Sequence, residues 1–104
     1  MMDVSLVLPL GQIVSSRQGR DKGQLYMVVG YGKSPFVLVA DGRVRKAAKP
    51  KKKNARHVRN VGSIAQKAAQ KLQSGTITDE EVRQAISELC ISENIATTRA
   101  GREI

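Results

Sequence analysis

Short apolar runs separated by turn residues dominate the first 60 residues of the chain. The runs are rich in β-branched residues, and no helix-length periodicity occurs before residue 62. The run LYMVV is apolar on both faces, as expected inside a tightly curled small sheet. The pattern predicts five strands, at residues 11–16, 25–29, 36–40, 43–46 and 57–61.

Glycine-containing turns separate these predicted strands. Residues 17–24 form a polar loop with Gly19 and Gly23, because glycine adopts backbone angles that other residues resist. Asp41 and Gly42 stand between the third and fourth predicted strands. Asp-Gly predicts a two-residue hairpin there, since both residues tolerate positive φ.

Strands and turns together predict a mainly β fold, a small five-stranded barrel over residues 1–61. Segment 49–56 holds Pro50 followed by lysines, and it is predicted to be a loop anchored by strands at both ends. Residues 62–104 are predicted to be a two-helix C-terminal extension, with a frayed end at 94–104.

The first predicted helix follows from apolar residues that recur every four positions. These residues are Ile64, Ala68 and Leu72. Ser63 is predicted to cap the helix, which runs to residue 73, and Gly75 is predicted to end it.

The second predicted helix covers residues 79–90. Thr78 and Glu81 have the spacing of a capping box, in which each side chain binds the other residue's amide. An apolar stripe runs along this helix at Val82, Ala85, Ile86 and Leu89. We expect the stripe to pack on the barrel or on the first helix, and docking of a protein partner through Val82, Ile86 and Leu89 is the alternative.

Positive charge is concentrated in one part of the chain. Residues 1–60 hold 13 Lys/Arg and three Asp, a net +10, whereas residues 61–104 hold 5 basic and 6 acidic residues, a net −1. From Arg43 to Arg59, nine of seventeen residues are basic and none is acidic, and the next acidic residue after Asp41 is Asp79. Such a block attracts a polyanion.

Other chemistry finds little support in the sequence. Cys90 is the only cysteine, so an internal disulfide is impossible, and with one histidine a zinc site is not expected. Gly32-Lys33-Ser34 is not a P-loop, because Met27 stands where its first glycine is required. We expect no enzyme activity, cofactor, small-molecule substrate or membrane association, and a cytoplasmic location.

The strand–loop–strand segment from Ile13 to Val29 resembles a KOW motif, in which a glycine lies near the eleventh position. Counted from Ile13, that glycine is Gly23. With GRDKG, VADGRVRK and KPKKKNARHV, the resemblance extends to bacterial KOW-domain RNA-binding proteins, which are similar to KOW-containing large-subunit ribosomal proteins of archaea and eukaryotes. It covers residues 11–61 and implies an SH3-like barrel that binds RNA. The helical extension lies outside it.

RNA is therefore the expected partner, and ribosomal RNA or the large ribosomal subunit the expected target. The residues predicted to bind it are Arg20, Lys22, Arg43, Arg45, Lys46, Lys49, Lys51, Lys52, Lys53, Asn54, Arg56 and His57. The cations would neutralise phosphates, while Asn54 and His57 offer hydrogen bonds to base edges or 2′-hydroxyls. Gly19, Gly23, Asp41 and Gly42 are predicted to shape the loops, and Asp21 to orient its own loop by binding amides.

Two alternatives remain open from the sequence. The first is a protein-interaction module that uses the barrel or the second helix, since SH3-like barrels serve many functions. The second is general polyanion binding, to DNA or to an acidic membrane, although no amphipathic basic helix accompanies the charge. The aromatic residues Tyr26, Tyr31 and Phe36 are too few and scattered for a stacking platform, which favours recognition of RNA by backbone and shape.

Overall fold

Five strands form one antiparallel sheet, and two helices follow them along the chain. The computed structural model describes residues 8–62, 64 and 66–92. The strands are β1 (Ile13–Ser16), β2 (Leu25–Tyr31), β3 (Phe36–Ala40), β4 (Lys51–Asn54) and β5 (Val58–Asn60). A 3-10 turn, Ala55–His57, joins β4 to β5, and the helices are α1 (Gln66–Ser74) and α2 (Asp79–Ser92).

The sheet is strongly curved, as its connectivity requires. The strand order is β4-β3-β2-β1-β5, so the two edge strands are consecutive in the chain. In a flat five-stranded sheet the edge strands would lie about 19 Å apart. The four Cα–Cα steps from Asn54 to Val58 reach at most about 14 Å. The edges must therefore approach each other.

The central strand β2 is buried on both faces, whereas the outward residues Lys52 of β4 and Arg59 of β5 are exposed. One face of the sheet contributes the inner cluster, which consists of Leu8, Val14, Tyr26, Val28, Val37, Val39 and Val58. The other face and the helices form the outer cluster, which consists of Ile13, Leu25, Met27, Ala68 and Val82. Alternate residues of β2 enter different clusters, which confirms the prediction that LYMVV is buried on two sides.

The apolar stripe of α2 packs within this chain, as expected. Val82 is fully buried, and Ile86 and Leu89 lie partly buried against the outer cluster. Cys90 packs at the edge of the same cluster, and burial raises the pKa of its thiol. The sheet and the helices therefore share one hydrophobic cluster across the compositional change at residue 61.

The predicted strand at residues 43–46, with its Asp-Gly hairpin, is wrong. Asp41 folds this segment into a loop, because its Oδ1 accepts hydrogen bonds from the amides of Arg43 and Arg45, each at 2.9 Å. The amides of Asp41 and Gly42 both donate to the Arg45 carbonyl, at 3.0 and 3.1 Å. These bonds replace the cross-strand ladder that a hairpin would need.

The fourth strand lies instead within the segment predicted to be a loop. Lys51 pairs with Val39, and Lys53 pairs with Val37, on the inner side of β3. The prediction of a loop over residues 49–56 is therefore wrong for β4. The pattern of polar residues conceals a strand whose inward side chains are charged.

The end of α1 and the start of α2 agree with the sequence prediction, whereas α1 begins at Gln66 and so does not include Ile64, and α2 runs to Ser92 instead of residue 90. Gly75 has φ 75° and ends α1, with its amide donating to the Leu72 carbonyl at 3.2 Å. The capping box is present, since the Thr78 amide donates to Glu81 Oε1 at 3.0 Å and the Glu81 amide to Thr78 Oγ1 at 3.2 Å. The predicted cap Ser63 and the segment 94–104 lie outside the described residues.

A search of the described helices finds none with the length and apolar composition needed to cross a membrane.

Two valine substitutions test whether the helices and the sheet unfold together. We expect Val82→Ala to lower the free energy of unfolding by about 2 kcal/mol, because it opens a cavity in the shared cluster. Val44→Ala is the matched control, since Val44 is 83% exposed, and should change it by less than about 0.5 kcal/mol. Urea unfolding followed separately by a helix signal and by the fluorescence of the two tyrosines of β2 measures both. Loss of helix signal alone in Val82→Ala would contradict a common core.

Candidate nucleic-acid interface

The carboxylate of Asp21 binds four side chains at the inner face of the curved sheet. Its Oδ1 lies 2.9 Å from Lys53 Nζ and accepts a hydrogen bond from Ser16 Oγ at 2.8 Å. Its Oδ2 lies 2.8 Å from Lys51 Nζ and accepts from the Tyr26 hydroxyl at 2.6 Å. We call these five residues the Asp21 cluster. It ties β1, β2 and β4 to the loop at residues 17–24.

The Asp21 cluster is sheltered from solvent, so a charge left without its ion-pair partner there would be destabilising. The side chains of Lys53 and Asp21 are only 8% and 14% exposed. Burial alone would raise the pKa of Asp21, but hydrogen bonds from Lys51, Tyr26, Lys53 and Ser16 outweigh it and hold that pKa far below its ordinary value. Burial, and then the hydrogen bond to Asp21, raise the pKa of the Tyr26 hydroxyl well above its ordinary value.

The three consecutive lysines of β4 therefore have different surroundings. Lys51 and Lys53 are paired with Asp21, although no carboxylate lies near them in sequence. Lys52 points to the other side of the strand and is exposed, with its Nζ 5.2 Å from the centroid of the Phe36 ring. Of these three predicted phosphate ligands, Lys52 is the one that no described carboxylate engages.

The loop at residues 17–24 is hydrogen-bonded to two other basic segments, which are the 3-10 turn and the segment between β3 and β4. The Arg17 amide donates to the His57 carbonyl at 2.7 Å, which joins this loop to the 3-10 turn. Gln24 Nε2 donates to Asp41 Oδ2 at 3.4 Å, which joins it to the segment between β3 and β4. We call that segment, residues 41–49, the basic loop. The three segments thus form one continuous region of the protein.

Most of the predicted binding residues are exposed in or beside this region. The exposed ones are Arg20, Lys22, Arg43, Arg45, Lys46, Lys49, Lys52 and Arg56. Asn54 and His57 are partly buried, and Asn54 Oδ1 accepts a hydrogen bond from the Arg56 amide at 2.9 Å, so it caps the 3-10 turn. Gly19, Gly23 and Gly42 all have positive φ, as their predicted role in the loops requires.

Asp21 and Asp41 are the carboxylates within residues 8–62, and both are engaged internally. Sequence reasoning missed three exposed cations, namely Arg17, Lys33 and Arg59. Arg59 follows the inward Val58 on β5, so strand alternation could have identified it. The exposed cations of residues 8–62 number eleven, and none forms an ion pair with a described residue: Arg17, Arg20, Lys22, Lys33, Arg43, Arg45, Lys46, Lys49, Lys52, Arg56 and Arg59.

Models of known protein families give no match to this chain, and curated proteins give none either. The resemblance to KOW proteins rests on the residues quoted above and stays a prediction.

Substitution of neighbouring lysines tests whether Lys53 stabilises the fold while Lys52 does not. We expect Lys53→Met to lower the free energy of unfolding by about 1–3 kcal/mol, because it leaves the sheltered Asp21 carboxylate with one cation fewer. Lys52→Met is the matched control, with an expected change below about 0.5 kcal/mol. Urea unfolding at pH 7 measures both. Equal effects would show that Lys53 has no special structural role.

The lowered pKa of Asp21 predicts a specific loss of stability in acid. Because the folded-state pKa lies below the ordinary value of 3.8, the stabilisation is complete above that value and is lost progressively as the pH falls below it. At pH 7 we expect Asp21→Asn to be less stable than the unchanged protein by about 3 kcal/mol. The difference should narrow below about pH 4. Urea midpoints of both proteins from pH 7 to about pH 2.5 test this. If their difference in stability did not change with pH, protonation of Asp21 would not be the cause of the loss of stability in acid.

Proposed function

We propose that this protein is a non-enzymatic RNA-binding protein whose exposed cations bind the phosphates of a folded RNA. The observation that carries the proposal is the distribution of charge between inside and outside. Both carboxylates of residues 8–62 are used in internal bonds, while eleven cations are exposed with no described ion-pair partner. Clustered like charges repel each other, and a bound polyanion relieves that repulsion.

The aromatic residues favour a folded RNA over a single strand. Tyr26 is buried and bonded to Asp21, and Phe36 is partly buried beside Lys52. Tyr31 is 38% exposed, with its hydroxyl donating to the Leu8 carbonyl, and it is the one exposed aromatic ring among the described residues. Single-strand binders stack successive bases on exposed aromatic rings. Charges fixed on loops suit the phosphate geometry of a double-helical or otherwise folded RNA better.

A further part of the proposal concerns fold family and target. We propose that the curved sheet closes as an SH3-like KOW barrel, in agreement with the three-residue link between its edge strands and the positive φ of Gly23. The proposed target is ribosomal RNA of the large subunit, bound in the cytoplasm as a ribosomal component, assembly factor or translation accessory. The charge distribution supports a polyanionic partner, and RNA as that partner and the ribosome as its source are proposed from the KOW resemblance.

Salt titration of two charge-matched variants tests RNA binding. We expect Arg43→Gln/Arg45→Gln to weaken binding to a folded ribosomal RNA domain and to reduce the log–log salt slope by roughly 0.7–0.9 for each lost contact. Lys67→Gln/Lys71→Gln removes the same charge from α1, which lies outside the eleven exposed cations of residues 8–62, and it should leave the slope nearly unchanged. Fluorescence anisotropy of labelled RNA from about 50 to 300 mM KCl measures the affinity and the salt slope of each variant.

The outcomes separate the candidate partners. Absence of salt-dependent binding by the unchanged protein would refute the proposal, and equal effects of the two double variants would place the contacts elsewhere. Stronger binding to duplex DNA than to the RNA domain would favour a general polyanion binder. Sedimentation of lysate at low and high salt tests the ribosomal target, because a large-subunit protein should migrate with large subunits at low salt.

A further inference from the structure

We propose that α2 holds the basic loop in the conformation that contacts RNA, with Asp79 and Arg83 as positioning residues. This inference rests on the proposed function, and it gives the C-terminal helices a role in binding. The basic loop follows β3, whereas α2 begins some thirty residues after the loop ends. The contact between them is therefore made by the tertiary fold and not by neighbouring sequence.

Two hydrogen bonds fasten the loop to α2 near its two ends. At the start of the loop, Arg83 Nη1 donates to the Gly42 carbonyl at 2.6 Å. Towards its end, the Ala47 amide donates to Asp79 Oδ1 at 2.7 Å. Asp79 and Arg83 are four residues apart, so they lie on the same face of the helix. Both bonds hold the loop's main chain and leave its basic side chains uninvolved.

Direct packing of main chain on main chain strengthens this attachment. Gly42 has φ 79°, and a Cβ at this position would collide with the Asp79 carbonyl oxygen and lie 2.8 Å from Arg83 Cγ. Only a residue without a side chain permits so close an approach. The loop therefore rests directly on the first turn of α2.

The fastened loop leaves its cations exposed on both sides of the exposed Val44. Asp41 binds the amides of Arg43 and Arg45 from inside the loop, while both side chains are exposed. Val44 between them is 83% exposed, and Lys46 follows. A loop fixed before binding loses less conformational freedom when it meets a rigid partner, so the same contacts give a higher affinity.

The charge of Asp79 argues that its role is positional. A carboxylate beside a phosphate-binding loop opposes the attraction of RNA, so electrostatics alone predict tighter binding without it. Its hydrogen bond to the Ala47 amide supplies a reason for its presence. Positioning and electrostatics therefore predict opposite signs for removal of this carboxylate.

The decisive comparison is between Asp79→Ala and Glu80→Ala. Both changes remove one carboxylate from the first turn of α2 and raise the net charge equally, but exposed Glu80 makes no described bond to the loop. We expect Asp79→Ala to bind the folded RNA domain about three- to tenfold more weakly than the unchanged protein. Glu80→Ala should bind equally well or more tightly. Asp79→Asn keeps an acceptor oxygen and should recover most of the affinity.

A second pair guards against misfolding and changes the charge in the other direction. Arg83→Gln and Lys67→Gln each remove one helical cation, and Arg83→Gln should bind more weakly than Lys67→Gln, with both checked for native circular dichroism. Amide hydrogen exchange in the absence of RNA should be faster at Ala47 in Asp79→Ala than in Glu80→Ala. Equal affinities within each pair would overturn this inference while leaving RNA binding intact. Failure of the unchanged protein to bind RNA would overturn both proposals.

Discussion

The pairing of Asp21 with Lys51 and Lys53 is the interaction on which the rest of the structure depends. A strand of three lysines and an asparagine has no apolar residue to bury, yet β4 forms an edge of the sheet beside β3. The two inward lysines are tolerated because one carboxylate lies between them and is further bound by Tyr26 and Ser16. Removing either side of such a sheltered pair leaves an uncompensated charge, so the strand and the loop that carries Asp21 need each other.

The same arrangement determines what the surface presents. Asp21 neutralises inward cations and Asp41 binds loop amides, so neither carboxylate is available to pair with the exposed cations of the sheet region. The internal bonds that stabilise the fold thus increase the positive character of its exterior. A charge count treats the lysines of β4 as equivalent. In the structure, Lys51 and Lys53 are paired with Asp21, whereas Lys52 is exposed.

The sequence pattern predicts those helices and strands whose stabilising residues lie close together in the chain. β2, β3, β5 and α2 follow from apolar spacing, and the Thr78–Glu81 capping box spans only four residues. β4 escapes prediction because its stabilising partner, Asp21, is thirty residues away and hydropathy takes charged residues to be exposed. The error at residues 43–46 has a different origin, since the side chain of Asp41 competes with the backbone ladder for the same amides. For the binding site, sequence identifies the cations but not which of them are paired.

Helix α2 couples the stability of the core to the shape of the basic loop. Val82 is fully buried in the cluster shared with β1 and β2. Asp79, three residues before Val82, and Arg83, one residue after it, both bind the main chain of the basic loop. These three residues lie on one side of the helix, so the packing that places Val82 also places the two hydrogen-bonding side chains. A helix that only covered apolar surface would not need polar residues directed at loop main chain. The extension is therefore better understood as a support for the loop than as an appendage of the sheet.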